Sequence, residues 1–225
     1  MRRTTVRGKS TSRTLLALAA AGLLLTACGN DEEGNGQAQN NQQGDQTATT
    51  QQDDNDDQQG QPDVEQSGRL APPESANGAF TYNTELAPEG AEVSVEAEQT
   101  RNGTKIEIDV EGLVANRGYA VHAHTEKCGD DGDAAGPHFQ NEVDPAATKD
   151  EPSTDPKYAN PENEVWLDLR TDGEGEGDAE TEVPFKFTDR APASIVIHEN
   201  EETATHHGEA GTAGDRVACL TVPFA

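Results

Sequence analysis

From Val93 to Val222 the apolar residues of this chain recur at every second position in short runs, and no stretch repeats them at the three-to-four spacing of an amphipathic helix. That pattern narrows the fold to antiparallel sheet. Val93 and Val95 alternate with polar neighbours, Asn102-Gly103 supplies a tight turn, and Ile106, Ile108 and Val110 alternate on the return, which reads as a hairpin. Further strands are predicted at 119–124, 165–169, 183–187, 194–198 and 217–222, with the glycine-rich run 173–177 as a turn. So many short strands in about 150 residues predict an all-β fold, a Greek-key β-barrel or sandwich of about eight antiparallel strands with two long functional loops.

The first third of the chain cannot join that fold. Arg2, Arg3, Arg7, Lys9 and Arg13 form a basic start, and Leu15 to Ala27 is an apolar run too short for a comfortable membrane span. It closes on Leu25-Thr26-Ala27-Cys28, which resembles a bacterial lipoprotein box. The resemblance implies a signal peptide over 1–27, a lipid on Cys28, and an exported cell-membrane lipoprotein facing the extracytoplasmic side; the alternative is an ordinary signal peptide with a chance cysteine. Residues 28–75 are dominated by Asn, Gln, Asp, Gly, Thr and Ser, so they bury too little apolar surface to offset chain entropy. They are expected to be a disordered acidic tether, with a root-mean-square reach of roughly 35–40 Å. Residues 76–225 then form one domain.

The formal charge is −27, and removing residues 1–28 with their five basic side chains takes it to −32. Acidity on that scale excludes nucleic acid as a natural partner and favours solubility in an exposed environment. With Cys28 assigned to lipid, Cys128 and Cys219 remain as one pair in an oxidising compartment, where a disulfide persists; two free thiols or a thiolate metal site are the alternatives.

Two predicted connections are too long for hairpins, one from about Thr125 to Glu164 and one from about Glu199 to Asp215. Long loops on a rigid β-scaffold are where function concentrates. Four of the six histidines sit at or beside them: His122 and His124 in a strand, His138 inside the first loop, and His198 at the start of the second. Side chains alternate along a strand, so His122 and His124 project from one side and can present two imidazoles to one ion. An all-imidazole set suits copper, whereas a structural zinc usually recruits thiolate or carboxylate.

Taken in order, His122-Ala123-His124, Cys128, Ala135-Gly136-Pro137-His138-Phe139, Val196-Ile197-His198-Glu199 and Gly211 to Cys219 resemble the copper-zinc superoxide dismutases from about residue 79 to the C-terminus. The resemblance implies copper ligation by His122, His124, His138 and His198, with His138 as the histidine that bridges copper and zinc in the family. It implies a Cys128–Cys219 disulfide, and Arg216 as the guanidinium that guides superoxide to the copper. It also implies catalytic roles for Arg216 and for His138, the latter as a proton carrier.

One departure bears on the metal. The family completes its zinc site with two more histidines and an aspartate after the bridging histidine, yet no histidine stands between His138 and His198. Asp144, Asp150, Asp155, Glu162 and Glu164 offer only oxygen, a poor zinc set, and His206-His207 reads as a solvent-exposed pair. A copper-only member is expected, with zinc doubtful. The function expected is an extracytoplasmic superoxide dismutase anchored to the membrane through Cys28; the alternative is a non-catalytic lipoprotein that binds or buffers copper.

Overall fold

The computed structural model describes residues 63–148 and 151–224. The expected signal peptide 1–27, the lipid-bearing Cys28 and the tether up to residue 62 lie outside the described residues. Ten strands follow in chain order: β1 (Val64–Arg69), β2 (Ala79–Thr81), β3 (Glu92–Gln99), β4 (Thr104–Glu111), β5 (Gly118–Tyr119), β6 (Val121–His124), β7 (Leu169–Arg170), β8 (Gly177–Val183), β9 (Ser194–His198) and β10 (Arg216–Thr221). One sheet runs β1-β3-β4-β8, the other β2-β10-β9-β6, and β5 pairs with β7 in a short ribbon. All these pairings are antiparallel. The chain leaves the first sheet after β4, returns to it at β8 and crosses again to β9, so the two sheets are stitched into one sandwich.

Alternation carries the packing. Val93, Val95, Ile106, Ile108 and Val110 of the first sheet share a buried core with Val121, Ala123, Ile195, Ile197 and Leu220 of the second. Each such side chain removed from water stabilises the fold by roughly 1.5–3 kcal/mol for the larger residues. The hairpin of β3 and β4 pairs Val93 with Val110 and Gln99 with Thr104, around the predicted turn.

Three expectations shift. The domain starts earlier than residue 76, because β1 lies inside the stretch read as tether and pairs with β3 from Val64↔Ala97 to Arg69↔Glu92. This strand holds one branched apolar residue and so gave no alternation signal; its backbone ladder, the fully buried Leu70 and the closeness of Gly68 to Ala79 hold it in place. A Cβ on Gly68 would stand 2.5 Å from the Ala79 Cβ, so only glycine lets this edge approach.

The strand expected at 183–187 is instead β8, which ends where that run begins. Its outward Asp178, Glu180 and Glu182 alternate with small Ala179 and Thr181, a weak apolar signal for an edge strand, and Pro184 offers no N–H to extend the ladder. Phe185 and Phe187 are still buried, packed with Phe139, and Phe187 with Phe224. The strand expected at 165–169 forms only a bridge from Trp166 to His122 and the two residues of β7, yet Val165, Leu167 and Leu169 all point into the core.

Candidate metal centre

The outer face of the β2-β10-β9-β6 sheet is where the histidines meet. On β6, Val121 and Ala123 enter the core, so His122 and His124 face the other way, and on β9 the same logic turns His198 outward beside core Ile197. The first long loop returns to make a bridge between His138 and His124. One ring nitrogen from each of His122, His124, His138 and His198 lies within 4.8 Å of the others, in the one such His/Cys/Asp/Glu cluster among the described residues. His122 and His124 are fully buried, and His198 nearly so.

Each ring spends its far nitrogen on an oxygen. His124 Nδ1 donates to Gly136 O at 2.9 Å and His198 Nδ1 to Gly214 O at 3.3 Å. His138 Nδ1 donates to Glu164 Oε2 at 3.1 Å, and His122 Nε2 to Thr203 Oγ1 at 2.8 Å. The near nitrogens are therefore lone pairs. His124 Nε2 and His198 Nε2 face each other at 3.2 Å with no proton left for either, an arrangement that calls for a cation. His122 Nδ1 is the one buried side-chain nitrogen or oxygen among the described residues with no hydrogen-bond partner. An unpartnered buried nitrogen aimed into an imidazole cluster fits a metal ligand.

Electrostatics agree. Burial, followed by repulsion from the neighbouring imidazoles with His138 first, holds His122 and His124 well below the ordinary histidine range. Burial and then His138 push His198 down to about 3. These rings are neutral at neutral pH and ready to bind a metal without first losing a proton.

Arg216 reaches the same face through a defect in β10. Cys219 packs with Val196 on the outer side, and a residue three positions away would normally face the core. The register shift between Arg216 and Ala218 inserts the extra residue that turns Arg216 outward as well, a common use of a bulge beside a site. Its Nη1 donates to Gly132 O at 2.6 Å and its Nη2 to Gly136 O at 2.7 Å, which pins the guanidinium to the first loop. The same loop is tied to β10 by the Cys128–Cys219 disulfide. A cavity of about 490 Å³ opens above His138 and His198, and among the described residues the charged side chains lining it are Arg190, Arg216 and the buried Glu164. Arg216 Nη1 also stands 4.0 Å from the exposed Asp133 carboxylate.

The family model for copper/zinc superoxide dismutase (SODC) matches residues 90–222. The chain belongs to the copper/zinc superoxide dismutase family. Among solved structures it is similar to Cu/Zn superoxide dismutase from Brucella abortus, at 16% identity over 71% of this chain and 99% of that one, with a TM-score of 0.47. It is also similar to a point mutant of an SOD-like protein from Bacillus subtilis, at 17% identity over 57% of this chain and 88% of that one, with a TM-score of 0.40. No curated protein matches it. Membership in the superoxide dismutase family together with the histidine cluster supports copper binding of the superoxide-dismutase kind.

All four histidines named from the sequence come together, with Arg216 beside them, while His206 and His207 are exposed and stand outside the cluster. What sequence reasoning missed is the support. Glu164, noted only as a poor zinc ligand, is 1% exposed and accepts from His138, from Trp166 Nε1 at 2.8 Å and from Gln140 Nε2 at 2.7 Å. Trp166 also stands edge-on to His122, with ring centroids 5.7 Å apart, and Asp168 holds Thr203. Glu164, Trp166 and Asp168 alternate with core Val165, Leu167 and Leu169, so one face of this segment braces the centre. Acids interleaved with an apolar alternation were the available signal.

Proposed function

We propose that this chain is an extracytoplasmic, copper-dependent superoxide dismutase, held at the membrane through Cys28 and working without zinc. The observation that carries it is a cluster of four imidazoles beside a cavity that Arg190 and Arg216 line, in a chain of the superoxide dismutase family. His122 through Nδ1, and His124, His138 and His198 through Nε2, would hold the copper. Copper supplies one-electron chemistry, so that two superoxide anions and two protons become one oxygen and one hydrogen peroxide.

The residues do the rest. Glu164 fixes the His138 ring through Nδ1, leaving Nε2 as the nitrogen that faces the cluster and can hand on a proton. Arg216 lies in the cavity as the charge that attracts the anion. The acidic body repels superoxide, but at physiological salt charges beyond roughly 8 Å are screened while those lining the cavity are not.

Zinc does not fit beside His138 in the way the family builds it. The nitrogen that would face zinc already donates to Glu164, and among the described residues no histidine or cysteine beyond the four clustered imidazoles joins the group. Metal analysis of protein offered copper and zinc together should return copper alone at near one equivalent; equal zinc would refute the zinc-free reading. For catalysis, the full chain carrying one equivalent of copper should clear superoxide much faster than copper on a surface histidine site. Equal rates would leave only a copper-binding protein.

A further inference from the structure

Proton bookkeeping around His122 leads to residues outside the ligand set. The Asp168 carboxylate accepts three hydrogen bonds: from Thr203 N at 2.7 Å to Oδ2, and from Thr203 Oγ1 at 2.6 Å and Val121 N at 3.2 Å to Oδ1. A carboxylate only accepts, so the single hydroxyl proton of Thr203 is committed to Asp168. The Thr203 oxygen that faces His122 Nε2 at 2.8 Å can then only accept, and the His122 proton must sit on Nε2. Nδ1 is left bare, and it is the unpartnered buried nitrogen of a ring that packs against His138 and His198.

We propose that Thr203 and Asp168 form a tautomer lock, which keeps the His122 proton on Nε2 and so reserves Nδ1 for the metal. They are positioning residues: neither reaches the cluster, and both act through His122. The lock also joins distant parts of the chain, since Thr203 lies in the second long loop, Asp168 beside β7 and Val121 at the start of β6. Folding that loop over the sheet and choosing the correct histidine nitrogen are thus one event. Without the lock, a buried imidazole can carry its proton on either nitrogen, and the Nδ1–H form must rearrange before it binds.

Asp168→Asn tests the direction of the chain of donors. The amide keeps the side-chain shape but turns one acceptor into a donor. Placing its oxygen toward Thr203 N retains the shorter backbone bond, and its nitrogen then donates to Thr203 Oγ1. The freed hydroxyl proton turns to His122 Nε2 and drives the ring proton to Nδ1. Thr203→Val removes the oxygen altogether, and Thr203→Ser keeps it.

The experiment records ring-nitrogen NMR spectra of the metal-free full chain and measures copper affinity by competition with a chelator. Wild type and Thr203→Ser should show His122 protonated at Nε2 with unchanged affinity. Asp168→Asn should move the proton to Nδ1, Thr203→Val should give a mixture, and both should bind copper roughly 10- to 100-fold more weakly. A wild-type spectrum with the proton on Nδ1, or wild-type tautomer and affinity in both Asp168→Asn and Thr203→Val, would overturn the lock. The inference rests on the copper reading above, but the tautomer is read without metal or superoxide, so the two fail separately. If one variant does not fold, the wild-type spectrum and the other variant still decide.

Discussion

On β6, Val121 and Ala123 turn into the sandwich core, while His122 and His124, each one residue away, turn outward beneath the two long loops. β9 repeats the division with Ile195 and Ile197 against His198, and β10 with Leu220 against Cys219. The inner face is held by non-directional burial, which tolerates acid and asks only for apolar volume. The outer face is held by directed bonds, a disulfide and a cluster of imidazoles, so it depends on protonation, redox state and metal. Stability rests on both faces but chemistry on the outer one alone, so an inner-face substitution can weaken the fold without touching the chemistry.

Acid should separate the two faces most. An unfolded histidine takes up a proton near pH 6.5, whereas His198 resists until about 3, and burial keeps His122 and His124 well below their ordinary range. The unfolded chain then binds more protons, so stability of the metal-free protein should fall progressively as pH drops below about 6.5. Denaturant titrations from pH 7.5 to 4 check this; a pH-independent midpoint would mean that the outer face does not resist protonation.

Removing the disulfide with Cys128→Ser and Cys219→Ser together should cost about 4 kcal/mol, given the 91-residue separation of the cysteines, and should loosen Arg216 with its loop. On the inner face, Ile195→Ala should cost about 3 kcal/mol and leave copper stoichiometry unchanged, which urea unfolding and metal analysis would show together. Loss of copper binding in Ile195→Ala would break the claimed independence of the faces. Arg216→Glu should keep copper but slow superoxide decay by about tenfold or more, an effect that weakens as salt rises. An unchanged second-order rate would remove Arg216 from the guiding role.

The inner face was readable because burial leaves a periodic mark: Val93, Val95, Ile106, Ile108 and Val110 alternate in the sequence as they do in the sheet. β1 and β8 left almost none, since an edge strand rests on its backbone ladder and its residues were polar or small. On the outer face the four histidines were legible as residue types that few other roles explain in that order. Glu164, Thr203 and Asp168 were not, because each is common in loops and becomes meaningful only when folding brings it against an imidazole. The direction of a hydrogen bond, which decides which nitrogen is free, has no one-dimensional signature.

The most direct test is titration of the metal-free full chain with Cu(II), followed by electron paramagnetic resonance. The outer face as described should saturate at one equivalent with a nitrogen-rich signal, and His124→Ala should lose that signal while its unfolding midpoint at neutral pH stays near wild type. A spectrum dominated by oxygen ligands, or binding unaffected by His124→Ala, would contradict a copper centre built from His122, His124, His138 and His198.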